Sequence, residues 1–182
     1  PTVFIQNIIS FLTLGMVGFV TAALAARFVF PAVSLEGEAF WIVRSSPLRL
    51  RDFLWAKFWS GLLPLLVLSE ILFVLSNILL KVSGIMMALG GVTVLFMTFG
   101  ITAIGVGMGA IFPRFRYENV AQIPTGFGGI VFMLVSMLYI GIVVGLESWP
   151  FYRIFMSQAL GVTITASRWF FIGLIFAAVL CL

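Results

Sequence analysis

Apolar residues run along this chain in long blocks broken by short polar interruptions, with none of the strict alternation of a half-buried strand. A hydrocarbon core about 30 Å thick needs roughly 20 residues of helix to cross it. On that ruler the pattern predicts spans over residues 3–26, 58–80, 85–112 and 126–146, and a fifth apolar run over 169–182. Between them lie a long polar stretch over 27–57, a tight turn at Lys81–Gly84, a loop over 113–125 and a mixed segment over 147–168. The expected fold is all-α: a single polytopic transmembrane helix bundle with at least five spans, the last truncated. A β-barrel is excluded, because its strands alternate over about ten residues and these runs are continuous.

Composition fixes the solvent. The 182 residues are 63% hydrophobic and 9% charged, with a mean hydropathy of +1.25, against roughly 25% charged in a soluble domain. Too little polar surface exists to clothe a globule, so most of the chain faces lipid. Eight of the sixteen charged residues fall within 27–57. Strict alternation of spans puts Arg27, Arg44, Arg49, Arg51, Lys57, Arg114 and Arg116 on one side, and Lys81, Arg153 and Arg168 on the other. By the positive-inside rule the first group is cytoplasmic, so the net charge of +4 reports topology and not a nucleic-acid partner. Trp149, Tyr152 and Trp169 then fall where an outer aromatic belt belongs. The expected location is a plasma membrane, the bacterial inner membrane. With no His and one Cys, Cys181, no ligand set for zinc, haem or an iron-sulfur cluster can be assembled, and no metal or bound cofactor is expected. The start at Pro1 and the stop at Leu182, inside an apolar run, read as a piece of a longer polypeptide.

The polar stretch carries the most informative pattern. Ser34 can cap a short amphipathic helix whose first turn holds Glu36 and Glu38, favourable at the positive end of the helix dipole, with Arg44 at the negative end. Pro47 stops it, and a second helix leads through Phe53, Leu54 and Lys57 into the next span. On physics alone, an interfacial anchor is the plainer reading of such a helix. The pattern Glu36-x-Glu38, Ser46-Pro47 and Ala56-Lys57 nevertheless resembles the first intracellular loop of ABC-2-type transporter permeases. The Arg44-Ser45-Ser46-Pro47-Leu48 turn and Phe112-Pro113-Arg114-Phe115 with Glu118-Asn119 are similar to the ABC exporter membrane subunits of that group. The resemblance covers roughly Arg27 to Tyr139.

It implies a permease subunit of an ATP-binding cassette exporter, not itself an enzyme. Glu36 to Pro47 would be the helix that couples to a separate ATPase subunit, with Lys57 at the head of the next span. Arg114, Arg116 and Glu118 would form a second cytoplasmic contact. A second permease copy and the lipid bilayer would complete the assembly, with ATP held by the partner. No Gly-x-x-x-x-Gly-Lys-Ser/Thr occurs in the chain, so it holds no phosphate loop of its own.

Three intramembrane features stand out. Gly105-x-x-x-Gly109 suits close helix packing, and the dinucleotide-like run Gly105 to Ala110 is better read the same way. Glu70, midway along the second span, costs at least ~2.5 kcal/mol to insert and needs compensation. Asn77, seven positions on, shares its face, so the two line a polar seam or a translocation path, or else Glu70 is protonated, hydrogen-bonded and serves only to lock helices together. Pro64 should kink the same span. Alternatives to the exporter reading are a proton-coupled carrier using Glu70, and a membrane scaffold without transport. An intramembrane enzyme is the weakest, because the only Asp, Asp52, lies in the loop and no His is present.

Overall fold

The computed structural model describes residues 2–39, 45, 49–82, 84–114 and 122–160. Four α-helices follow one another: α1 (Thr2–Phe28), α2 (Leu50–Leu79), α3 (Gly84–Ile111) and α4 (Phe127–Leu160). Two short 3-10 segments, Phe30–Ala32 and Ser34–Ala39, follow α1. No strand occurs among the described residues. Four stretches are long and apolar enough to cross a membrane: Leu12–Gly37, Leu50–Leu79, Met87–Ile111 and Phe127–Glu147.

Each boundary has a local cause. Pro31, lacking an N–H and fixed in φ, tightens the end of α1 into the first 3-10 turn. Arg49 is extended (φ −74°, ψ 136°), and its carbonyl accepts the N–H groups of Asp52 and Phe53 at 2.9 and 3.3 Å, which starts α2. Lys81 takes a left-handed φ of 52° just past α2, and the Val82 N–H reaches back to the Asn77 carbonyl at 3.2 Å, so α2 ends in a tight cap.

Helices α1 and α3 form the centre, with α2 and α4 each packed against both. On α1 the buried positions Leu14, Val17, Thr21, Ala22, Ala25 and Ala26, continued by Val29 just past its end, recur every three to four residues and make one narrow face. That face meets α3 closely: Gly18 lies under the Met97 thioether and Ile140, and Gly105 under Val29. Tight approach through small residues is what holds helices together in lipid, where burying apolar surface gains little. Helix α2 buries Leu62, Leu65, Ser69, Phe73 and Asn77. Its opposite face, Leu63, Val67, Ile71, Leu75 and Ile78, is exposed, as a lipid-facing surface would be. Phe73 fits into α3 at Gly90, and Tyr139 of α4 fits at Gly100.

Four spans are present among the described residues, and the expected fifth apolar run over 169–182 lies outside them. Where the expected amphipathic helix begins, Ser34–Ala39 form a 3-10 segment broken at Gly37, whose backbone (φ 48°, ψ −127°) no helix can contain, and Ser45 farther along is helical. Arg44, Ser46 and Pro47 lie outside the described residues, as do Arg116 and Glu118. Helix α4 runs on through Pro150 to Leu160, beyond the apolar stretch Phe127–Glu147 that is long enough to cross a membrane.

Candidate functional site

The two polar loops meet at one end of the bundle, and the residues that join them sit where three helix ends converge. Ser34 is fully buried, and its hydroxyl accepts the Arg114 backbone N–H at 3.0 Å. It therefore ties the α1–α2 connection to the end of α3 and does not cap its own segment. The Arg114 guanidinium turns the other way and donates to the Gln122 carbonyl at 3.1 Å, closing the α3–α4 connection. Glu36 pairs with Lys57 of α2, both partly exposed, and the Lys57 ammonium also lies 5.5 Å from the Phe53 ring centre. Glu38 lies on the second 3-10 segment. Beneath these contacts Phe30 stacks on Phe132 (5.6 Å), while Gly109 leaves room for the Phe30 carbonyl. Gly105 and Gly109 thus receive the end of α1 and the turn after it, an intramolecular contact, whereas Gly107 faces open space.

A second polar group lies in the middle of the bundle. Ser69 of α2 and Thr98 of α3 share a hydrogen bond of 3.0 Å. Buried Thr93 sits between two acceptors, donating to the Leu89 carbonyl at 3.1 Å and meeting the Glu147 carboxyl of α4. Glu147 is only 3% exposed, and its second oxygen is buried without a hydrogen-bond partner among the described residues. Glu70 of α2 faces Gly91 of α3, with one oxygen likewise buried and unpartnered. Gly91 and Thr93 are two residues apart on α3, about 3 Å in rise and 200° in angle, so the two acids flank α3 at one level from opposite sides. Glu70 lies about 14 Å from the end of α2 at Leu79, close to half the hydrocarbon thickness. Ser136, three turns along α4 from Glu147, is also buried without a partner for its hydroxyl.

Asn77 is buried and donates to the Phe73 carbonyl at 2.9 Å, so its amide serves the end of α2. The acid that sequence reading missed is Glu147, left in the outer segment because an apolar window ends at the first charge. Its signal was present: Phe132, Ser136, Ile140, Val143 and Glu147 continue one helical face at steps of three and four. No group of three or more His, Cys, Asp and Glu that could hold a metal occurs among the described residues.

A family model described as "Putative ATP-binding cassette" matches residues 1–182. No curated protein and no solved structure matches the chain. The family match overturns the resemblance to ABC-2-type permeases, and with it the expected function of a permease subunit coupled to a separate ATPase partner. It also corrects the expectation of a transport subunit that is not itself an enzyme, since an ATP-binding cassette normally hydrolyses ATP. The residues in hand do not fit a nucleotide, however. A phosphate cradle needs a strand, a glycine-rich loop and its lysine. The sequence has no such motif, the described residues hold no strand, and Lys57 is engaged by Glu36. No step of ATP hydrolysis is therefore assigned to these side chains.

Proposed function

Because the chain belongs, over residues 1–182, to the ATP-binding cassette family whose model it matches, we propose that the protein is an ATPase-related membrane protein in an ABC transporter setting. In this reading residues 1–182 supply its membrane-embedded helical part. The family match is the observation that carries the reading. The four long apolar helices support the membrane location, and the seven-to-three division of basic residues supports a cytoplasmic position for the loop end.

Within that protein the loop end is the joint between the helices and the region that handles ATP. Ser34–Arg114 and Glu36–Lys57 link α1, α2 and α3 across it. The rigid continuation of Lys57 into α2 would carry a displacement at the loops toward Glu70.

The test is direct. The protein purified from membranes and placed in lipid nanodiscs should hydrolyse ATP and take label from a photoreactive ATP analogue. A preparation that does neither overturns the reading.

A further inference from the structure

A groove of about 330 Å³ runs between the end of α1 and the first half of α2. Its walls are Leu24, Phe28 and Ala32 on one side and Gly61, Pro64 and Leu68 on the other, and Lys57 and Ser60 close one end. We propose that this groove binds one phospholipid of the surrounding bilayer, with an anionic headgroup at Lys57 and an acyl chain along Pro64 to Leu68.

The shape sets the orientation. From Lys57 to Leu68 is about 16 Å of helix, polar at one end and apolar at the other. Trp55 and Trp59, both exposed on α2, flank Lys57 and join Phe58 and Phe99 in an aromatic cluster with ring centres 5.4–6.4 Å apart. Exposed tryptophans at a span end mark the headgroup level. The polar end of the groove is therefore where lipid phosphates lie, and the apolar end is where chains lie. Phe28 and Leu68 are 65% and 44% exposed, so the groove opens sideways into the bilayer. Pro64 has no N–H, which leaves the Ser60 carbonyl without its helical donor inside the groove.

Charge selects the headgroup. Arg27, Arg49 and Arg51 are exposed on the same end of α1 and α2, against the acids Glu36, Glu38 and Asp52. The balance, with Lys57 included, is positive, which attracts anionic lipid.

Two variants that break the same ion pair separate lipid recognition from mere stability. Lys57→Gln removes the cation, whereas Glu36→Gln removes the competing carboxylate. The readout is phosphatidylglycerol and phosphatidylcholine retained by the intact protein, counted by native mass spectrometry after extraction from mixed vesicles. Lys57→Gln should lower the phosphatidylglycerol preference about fivefold, the worth of one basic group near an anionic surface, and Glu36→Gln should raise it. Ala32→Phe, which fills the groove, should lower retention of both lipids, whereas Leu138→Phe on the exposed face of α4 should not. Changes of the same sign in the two ion-pair variants overturn the proposal, as does equal retention of the two lipids by the unmodified protein.

Discussion

Gly109→Leu should abolish assembly of the bundle. A side chain at position 109 would start inside the Phe30 carbonyl, a backbone atom that cannot rotate away. Relief would require the turn after α1 to lift off α3, taking with it the stacking of Phe30 on Phe132 and the packing of Val29 on Gly105. Phe30 and Phe132 are both fully buried, so the close packing that holds these helices together in lipid would be lost at that end of the bundle. The expected result is a variant that inserts into membranes but runs as an aggregate on size exclusion in mild detergent. Gly107→Leu, at a position facing open space, should behave as the unmodified protein. Equal behaviour of the two variants would contradict the packing described here.

Glu147→Leu should have the opposite sign on stability. Among the described residues one oxygen of the acid has no partner, and Thr93, which meets the other, has the Leu89 carbonyl to donate to once the acid is gone. Removal thus leaves no orphaned donor, and it deletes a buried unsatisfied group worth about 1–3 kcal/mol. Thermal unfolding in detergent, followed by tryptophan fluorescence, should therefore shift upward for Glu147→Leu. Thr93→Val should not stabilise, because it leaves both carboxyl oxygens without a partner. A lower midpoint for Glu147→Leu would show that the acid has a partner supplied from elsewhere. A stabilised Glu147→Leu protein that hydrolyses ATP normally would leave the acid without a part in that activity.

How much of this could be read from the chain follows from where hydropathy is informative. Long apolar runs report spans well, and the four helices lie close to the predicted blocks, since lipid demands unbroken helical hydrogen bonding. Ends are read less well. The apolar window closed at Glu147, yet helix α4 continues because a buried acid at one position does not outweigh a face that packs on α1 and α3. Glu70 was legible as a lone charge in a span, whereas its level with Glu147 is a property of how α3 sits between α2 and α4. Ser34 shows the same limit in a loop. A serine before two acids looks like a helix cap, but the residue that uses its hydroxyl is 80 positions away, at Arg114. The family was misread because the resemblance rested on a few loop residues, among them Glu36, Glu38 and Lys57, and on hydropathy elsewhere. The match over the whole chain decides otherwise.

The loop end is the centre of the functional account, and a reversible lock across it tests the account most directly. The tips of the long Glu36 and Lys57 side chains meet there, so Glu36→Cys with Lys57→Cys, in a Cys181→Ser background, places two thiols that a short dithiol spacer bridges through a disulfide at each end on oxidation. ATP hydrolysis by the reconstituted protein should fall about tenfold on oxidation, within the range of ordinary allosteric coupling, and return with reductant. Equal hydrolysis in the oxidised and reduced states, with the bridge verified by mass, would contradict a joint at this end of the bundle.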